Sequence, residues 1–188
     1  NFYKQNNLYD EFKEQLEYIY ARYLLCSSFL RIVKIKDGKI IWSDGEYKSN
    51  LIGFSNDNKL MLVNATGEEA IQMGMREALE FGPFLIVNGK SAEVKGNGGW
   101  GVANRTAIAQ RKDGIVLFLV IDGRRAASIG AGMVELTEIM QRYGAVNAAN
   151  MDGGSSSALI LEGKVSSKPV AGGDEGLRNI PTAWIVTD

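Results

Sequence analysis

Apolar and polar residues alternate along much of the chain from position 31 onward, and a period of two is typical of half-buried β-strands. The turn Asp37-Gly38 separates two such runs and is a strong hairpin signal. The polar turn at residues 55–58 separates the next two. The strands predicted here are residues 31–36, 39–42, 51–54 and 59–63. Short turns join them, so both pairs are expected to be antiparallel.

Three stretches instead repeat apolar residues every three or four positions, which predicts amphipathic helices. The second helix begins at Thr66, which forms a capping box with Glu69, and is expected to continue to Gly82-Pro83. The third follows Ser128, a candidate N-cap, and ends before Gly144 at the C′ position. The apolar stripes are Leu8, Phe12, Leu16, Ile19 and Tyr23 in the first helix, Ala70, Met73, Ala78 and Leu79 in the second, and Met133, Leu136, Ile139 and Met140 in the third.

Short apolar runs bounded by turn residues predict the remaining strands, at residues 84–87, 105–110, 115–121, 145–149, 158–161 and 182–186. The run at 115–121 is the most hydrophobic and is the expected central strand. Together these elements predict an α+β fold, with two or three helices packed on a mixed, largely antiparallel β-sheet. We divide this single overall domain into an N-terminal helix and divergent segment, residues 1–36, and a main part, residues 37–188.

The composition says little about the fold but restricts the chemistry that the protein can perform. The 188 residues have a formal net charge of -1, without a basic stripe of the kind that indicates a nucleic-acid partner. Cys26 is the only cysteine, which excludes an internal disulfide. The chain contains no histidine, which excludes Ser-His-Asp and Cys-His nucleophile systems and metal sites that use His. Proton transfer must therefore use carboxylates, Tyr, Lys or Cys26.

The stretch from Gly144 to Ala158 is a candidate ligand site. It has the sequence GAVNAANMDGGSSSA, a short apolar strand followed by an aspartate, two glycines and three serines. Glycines let the backbone come close to a ligand, and successive N–H groups beside hydroxyls suit an anion such as phosphate. The alternative is an ordinary tight turn between two strands, since turns also favour Gly, Asp and Ser.

A second glycine-rich stretch precedes the strand at 105–110. Gly96, Gly98 and Gly101 match the G-x-G-x-x-G motif of dinucleotide-binding loops. That motif requires a helix after it, so the predicted strand argues against a dinucleotide, and we predict a mobile loop near a site. Trp100 within it is either a stacking surface for a sugar or a lid residue that packs on the core.

Polar residues cluster at the ends of three predicted core strands, namely Asn104-Arg105-Thr106, Asp122-Gly123-Arg124 and residues 150–156. If these strands are neighbours in one sheet, two arginines, two aspartates and the glycine turn converge. Arginine binds phosphate oxygens in a bidentate way, and two carboxylates are the minimum for acid/base cleavage of a glycosidic bond. Convergence therefore predicts a phosphosugar site. The alternative at each end is a solvated turn with a local ion pair.

Five segments carry a family resemblance: FGPFLIVNGK at 81–90, NRTAIAQRKDG at 104–114, VIDGRRAASIGAGMVELTEIM at 120–140, GAVNAANMDGGSSSALIL at 144–161 and RNIPTAWIVTD at 178–188. Through them the chain, from about Asp37 onward, resembles the phosphodiester glycosidases, which include the enzyme that uncovers mannose 6-phosphate on lysosomal glycoproteins. The resemblance implies a glycoside hydrolase that acts on a sugar-1-phosphodiester. Such an enzyme releases a sugar and exposes a phosphate on a glycan or cell-surface polymer.

Matched residue by residue, the resemblance implies a set of site residues. Asp152 and Asp122 are the candidate catalytic residues, and either one acts as acid, base or nucleophile. Arg105 and Arg124 are expected to hold phosphate oxygens and to stabilise the charge that develops as the phosphate departs. The full set of candidate substrate-binding residues is Arg105, Thr106, Arg124, Asn150, Gly153, Gly154, Ser155 and Ser156.

The chain departs from the family pattern in two places. Family members usually carry an Asn- and Gly-rich segment with a Phe on an early strand of the site, whereas residues 22–33 have the sequence RYLLCSSFLRIV. Ser155 stands where the family often has a third glycine. An altered site leaves an alternative function, a non-catalytic binding module for a phosphorylated glycan or exopolysaccharide.

The predicted partner is a sugar-phosphate or glycan substrate, without nucleic acid. No cofactor or metal is predicted, although Asp122, Asp152 and Asn150 carry oxygen atoms of the kind that a hard cation binds. Contact with a membrane is expected only through an anchor outside this chain, and the sequence does not indicate an oligomeric state. The resemblance implies a bacterial, secreted or cell-surface location.

Overall fold

The computed structural model describes residues 33–43, 47–94, 101–170, 177, 180 and 182–186. Contacts divide the chain into two units, of which the larger is Ile32–Arg178 and the smaller combines Asn1–Arg31 with Asn179–Asp188. All elements described below belong to the larger unit. The predicted N-terminal helix lies outside the described residues, as do residues 22–32 and the glycine loop up to Trp100.

Sheet A contains five antiparallel strands in the order β2-β1-β5-β3-β4. Their bounds are β1 Lys34–Lys36, β2 Lys39–Trp42, β3 Ser49–Ser55, β4 Leu60–Ala65 and β5 Met75–Glu80. Helix α1, Gly67–Gln72, packs against the sheet through Ala70, beside Val33, Ala65 and Met75. Both predicted hairpins are confirmed, since β1 pairs with β2 and β3 pairs with β4.

Helix α1 is shorter than the predicted helix. Its capping box is confirmed, because Thr66 Oγ1 accepts from Glu69 N at 3.2 Å and Glu69 Oε2 accepts from Thr66 N at 3.0 Å. The helix stops before Gly74, whose φ of +89° is a left-handed conformation that favours glycine. Ala78 and Leu79, predicted on the helix stripe, lie instead in β5 between β1 and β3. That part of the prediction is wrong, because pairing on both sides outweighs helix propensity.

Sheet B contains five antiparallel strands in the order β7-β6-β10-β8-β9. Their bounds are β6 Phe84–Val87, β7 Lys90–Ser91, β8 Arg105–Arg111, β9 Val116–Ile121 and β10 Ala145–Met151. Helix α2, Met133–Arg142, covers one face through Met133, Leu136 and Met140. It ends as predicted, with Gly144 at φ +79°. The strand at 105–110 is also confirmed, which is consistent with the rejection of a dinucleotide loop.

Two expectations about this region are wrong. The most hydrophobic run forms β9, an edge strand, whereas β8 and β10 occupy the interior of sheet B. The interior strands are rich in buried alanine, for example Ala107 and Ala148, which lets α2 approach closely. Ser128 does not cap α2; its hydroxyl donates to Asp122 O at 2.6 Å, and Gly132 is the N-cap.

Sheet A and sheet B meet at the first residue of β4. Leu60 N donates to Gln110 Oε1 at 2.7 Å, and Leu60 O accepts from Asn147 Nδ2 at 2.9 Å. Gln110 and Asn147 are cross-strand partners in β8 and β10. The predicted α+β fold with largely antiparallel strands is confirmed, although the strands divide into two five-stranded sheets.

The C-terminal part of the larger unit holds one further pair of strands, β11 Ile160–Leu161 and β12 Lys164–Val165. Glu162 and Gly163 turn the chain between them with positive φ values, as the predicted turn requires. Residues 182–186 lie outside any β-ladder, so the strand predicted there is wrong.

Candidate active site

The register of sheet B brings three strand ends together. Arg105, the first residue of β8, is paired with Ile121, the last residue of β9. Met151, the last residue of β10, is paired with Thr106 on the other side of β8. The polar sets at 104–106, 122–124 and 150–156 therefore share one end of the sheet, which we call the site edge. The three strands are therefore neighbours in one sheet, which is the condition that the sequence analysis set for a phosphosugar site.

Arg105 is a buried cation held by main-chain oxygens. Its side chain is 3% exposed, and Nε donates to Ala131 O at 2.9 Å while Nη2 donates to Gly101 O. Burial, and then the charge of Arg124, lower the pKa of the Arg105 guanidinium from its ordinary value. An arginine still stays charged in a protein. Among the described residues no carboxylate lies within 4 Å of its charged nitrogens.

Arg124 supplies a second guanidinium, near enough for its charge to lower the pKa of Arg105. Its backbone has φ +54°, and its side chain is exposed. A Cβ built on Gly154 would lie 3.2 Å from Arg124 Nη2 and 3.5 Å from Cζ, so the guanidinium lies over this glycine. Across the part of the chain that the structure describes, Arg124 has no ion-pair partner either. Two neighbouring guanidiniums that form no ion pair with any described residue are suited to bind phosphate oxygens.

The two candidate acids have different surroundings. Asp122 follows β9 and is half-buried, and its Oδ1 accepts from Lys168 N at 2.7 Å. Asp152 follows β10 and is exposed. Asp122 therefore bonds the backbone after β12, and Asp152 is an exposed residue at the site edge.

The glycine-serine turn is more structural than the sequence suggested. Gly154 N donates to Asn104 O at 2.8 Å, Ser156 N to Gly153 O at 3.0 Å and Ser157 N to Gly154 O at 3.3 Å. These three N–H groups are occupied by carbonyl oxygens, so they do not face a ligand. The backbone cradle for an anion that the sequence suggested is therefore smaller than expected, because these three donors are already used within the protein.

Thr106 and Asn150 both make structural hydrogen bonds. Thr106 Oγ1 donates to Ser157 Oγ at 3.0 Å, and Ser157 is buried. Asn150 is 2% exposed, and its Nδ2 donates to Gly82 O at 2.8 Å. Its Oδ1 accepts no hydrogen bond from a described protein atom. Ser155 and Ser156 are half-buried in the 3-10 turn Gly154–Ser156.

Asn104 has a larger part in the site edge than the sequence analysis gave it. It is fully buried, and its amide faces the backbone of Gly123, with Nδ2 placed to donate to Gly123 O at 3.2 Å and Oδ1 to accept from Gly123 N at 3.0 Å. This orientation of the amide was assigned from its hydrogen-bond partners. A sequence signal existed, since Asn104 directly precedes Arg105 in one of the three polar sets.

Other features lie away from the site edge. A surface cleft of about 410 Å³ lies at the opposite end of sheet B, lined by Arg111, Lys112, Asp113, Arg142, Tyr143 and Gly144. Among the described residues, no three His, Cys, Asp or Glu side chains are grouped to hold a metal ion. Within the same residues, no helix is long and apolar enough to cross a membrane.

The family profile described as phosphodiester glycosidase matches residues 31–187, most of the chain. The chain belongs to the phosphodiester glycosidase family. The resemblance seen in the sequence motifs is thus confirmed. The roles of the individual site residues stay predictions.

Relatives of this phosphodiester glycosidase chain are distant. It is 29% identical over 143 residues to the SPbeta prophage-derived protein YomE of Bacillus subtilis, covering 70% of this chain and 22% of that protein. It is 24% identical over 152 residues to mouse N-acetylglucosamine-1-phosphodiester alpha-N-acetylglucosaminidase, covering 72% of this chain and 29% of the enzyme. The chain thus spans less than a third of either relative.

A solved structure of the family has a similar fold. The catalytic domain of the zebrafish N-acetylglucosamine-1-phosphodiester alpha-N-acetylglucosaminidase, auto-inhibited by its pro-peptide, aligns with a TM-score of 0.62 and 20% identity. The alignment covers 73% of this chain and 50% of that one. This likeness supports the two-sheet phosphodiester glycosidase fold described above.

Proposed function

We propose that the protein hydrolyses a sugar-1-phosphodiester, releasing the sugar and leaving the phosphate on a glycan or cell-surface polymer outside the cytoplasm. The observation that supports this proposal most directly is the register of β8, β9 and β10, which brings the chain positions of Arg105, Asp122, Arg124 and Asp152 to the same end of sheet B. The family supports a phosphodiester glycosidase reaction, and the mouse relative is named for a sugar-1-phosphodiester. The extracytoplasmic location rests on the resemblance alone.

The guanidinium pair suits the charge that develops in this reaction. A phosphodiester has one negative charge, and the departing monoester gains a second as the bond to the sugar breaks. Arg105 is fixed by Ala131 O and Gly101 O before any ligand arrives, so little reorganisation is needed during the reaction. The pair therefore binds the developing dianion more tightly than the substrate, which is the condition for catalysis.

The carboxylates act on the other side of the scissile bond. We assign Asp152, which is exposed, to the sugar carbon or the attacking water, and Asp122 to the second acid/base role. In the balanced reaction, water gives its hydroxyl to the anomeric carbon, the phosphate monoester leaves as a dianion, and the proton of the water passes to a carboxylate and then to solvent. The bond that breaks is carbon–oxygen, not phosphorus–oxygen.

The test uses an N-acetylglucosamine-1-phosphate methyl diester in ¹⁸O-labelled water. Cleavage at the sugar carbon places the label in the released sugar, which mass spectrometry detects, and leaves methyl phosphate unlabelled. Label in the phosphate instead would identify a phosphodiesterase and overturn the proposal. Binding of the diester without release of sugar, tested across several sugars, would support the alternative of a glycan-binding module.

Asp152→Asn is the variant that tests the acid. We expect turnover below about 1% of the wild-type rate, since loss of one general acid or base costs roughly 10²–10⁴-fold. The melting temperature should change little, because asparagine has the same size as aspartate and the residue is exposed. Asp113→Asn is the matched control, an exposed aspartate beyond the other end of β8 that should keep full activity. Activity retained in Asp152→Asn would remove this residue from the mechanism.

A further inference from the structure

We propose that Asn104 is a positioning residue that fixes the segments after β9 and β10, with their two candidate acids, relative to each other. This inference rests on the proposed function, because it assigns Asn104 a part in the same site. Asn104 does not touch the substrate in this proposal. It acts through the backbone of residues that do.

Asn104 binds both segments, one through its side chain and one through its main chain. The side-chain amide pairs with the N–H and the C=O of Gly123, the residue after Asp122. The main-chain oxygen accepts from Gly154 N at 2.8 Å, two residues after Asp152. Asparagine suits this position because a single amide group both donates and accepts, as a peptide group does. An aspartate does not donate, and an alanine does neither.

The two segments also approach Asn104 too closely for any side chain. A Cβ added to Gly123 would lie 2.7 Å from Asn104 N, and one added to Gly153 would lie 2.8 Å from Asn104 O. The blocking atoms are backbone atoms of Asn104, the residue before β8, and backbone atoms do not move aside as a flexible side chain does. Glycine at both positions therefore seats the acid-bearing segments directly on the residue that precedes Arg105.

The same contacts place the guanidinium pair. Arg105 follows Asn104 directly, and Arg124 follows Gly123 and lies over Gly154. If the Gly123 backbone is released, Arg124 shifts relative to both Arg105 and the turn after β10. A displacement of about 1 Å at a catalytic constellation can cost on the order of 100-fold in rate.

The experiment compares Asn104→Ala with Gln110→Ala. Gln110 is a matched control because, like Asn104, it is a buried residue whose side-chain amide bonds backbone groups. Its partners are Leu60 N at 2.7 Å and Asn58 O at 2.9 Å, and it lies in β8 toward the end that is far from Asn104. Both variants should melt at lower temperature than the wild type. Measured well below both melting temperatures, kcat should fall about 100-fold in Asn104→Ala and less than about threefold in Gln110→Ala.

Amide hydrogen exchange gives a second readout that needs no turnover. In Asn104→Ala the amide hydrogens of Gly123 and Arg124 should exchange faster, while in Gln110→Ala they should exchange as in the wild type. Unchanged exchange at these amides, or a kcat equal to that of Gln110→Ala, would overturn the proposal. If the wild type cleaves no sugar-1-phosphodiester, the proposed function fails, and the exchange comparison alone decides the role of Asn104.

A gentler pair of variants covers the case in which Asn104→Ala does not fold. Asn104→Asp and Gln110→Glu each keep the size of the side chain and remove the amide donor. The expected result is a loss of kcat of at least about tenfold in Asn104→Asp relative to Gln110→Glu. Equal rates in these two variants would show that Asn104 is an ordinary core residue.

Discussion

Arg124 combines an unfavourable backbone conformation with a charged side chain at the site edge. A positive φ in a residue other than glycine costs on the order of 1 kcal/mol, and such conformations persist where the surrounding structure fixes them. At Arg124, with φ +54°, the backbone N donates to Ile129 O at 3.2 Å and the guanidinium lies over Gly154. The strain is therefore connected with the position of the second cation at the site edge.

Arg124→Gly separates these two effects. Glycine accepts the positive φ, so the melting temperature should stay within about 2 °C of the wild type. The affinity for inorganic phosphate should fall at least about tenfold, because hydrogen bonds to charged groups are each worth about 1.5–3 kcal/mol. Calorimetric titration with phosphate and a thermal melt measure the two quantities. Asp37→Gly, with φ 52° in the β1–β2 turn, is the control and should leave phosphate binding intact. Equal phosphate affinity in Arg124→Gly and the wild type would remove Arg124 from the anion site.

The sequence predicted the charged residues of the site edge more readily than the residue that holds them. Arg105, Asp122 and Asp152 stand out because each lies at the end of an apolar run, where a charge interrupts the pattern. Asn104 belongs to one of the same polar sets, but its hydrogen bonds go to the backbone of a residue 19 positions away in the chain. That partner becomes visible only when β8 and β9 are paired.

At the scale of elements, β5 is a strand although its residues favour a helix, because pairing with neighbouring strands outweighs helix propensity. Residues 75–80, MREALE, are good helix formers, and the capping box at Thr66 starts a helix just before them. The stretch nevertheless forms the central strand of sheet A, because β1 and β3 pair with it on both sides. Hairpins and caps were predictable because they depend on neighbours in sequence, whereas the centre of a sheet depends on distant strands.

The stability of the fold around α1 should depend on pH, because the carboxyl of Glu69 titrates. Hydrogen bonds from Lys48, and then from Thr66 N, lower the pKa of the Glu69 carboxyl below its ordinary value. A carboxyl whose pKa is lower in the folded than in the unfolded state stabilises the fold at pH values above its unfolded pKa of about 4.3. This stabilisation is lost as the pH falls through the pKa of the folded state. The melting temperature of the wild type should therefore decrease below about pH 4.5, and this decrease should be smaller in Glu69→Gln.

Glu68→Gln is the control for this measurement, since Glu68 is an acidic residue in the same first turn. Its melting temperature should follow the wild-type pH profile. If Glu69→Gln and Glu68→Gln show the same profile, the capping-box carboxylate does not contribute to the acid sensitivity.

Gly53 should be the least tolerant glycine of sheet A. A Cβ at this position would lie 1.9 Å from Glu77 O of β5, a backbone atom. We expect Gly53→Ala to lower the free energy of unfolding by at least about 3 kcal/mol, because β3 and β5 must separate to admit the methyl group. Urea denaturation measures this. Gly38→Ala, where no atom lies within 4 Å, should cost only about 1 kcal/mol for its positive φ.

At the scale of the molecule, the site edge lies in sheet B, and sheet A contacts sheet B through Leu60. The three strand ends of the site edge all belong to sheet B, and their order follows from antiparallel pairing of β9, β8 and β10. Sheet A reaches sheet B at Leu60, whose N–H and C=O bind Gln110 and Asn147. The two side-chain amides bind the N–H and C=O of Leu60 much as a neighbouring strand would. Gln110 lies in β8 and Asn147 in β10, both toward the end of sheet B that is remote from the site edge.

A double-mutant cycle on Gln110 and Asn147 tests whether this junction couples the two sheets. Each single alanine variant leaves one backbone group of Leu60 without its partner and should cost about 1–3 kcal/mol of unfolding free energy in urea. Both bonds hold the same residue, so loss of one lets the β3–β4 hairpin move and weakens the other. The double variant should therefore cost less than the sum of the single variants by at least about 0.5 kcal/mol. Additive losses of unfolding free energy would mean that the two amides stabilise the junction independently. A loss of kcat in either single variant would show that the junction also affects the site edge.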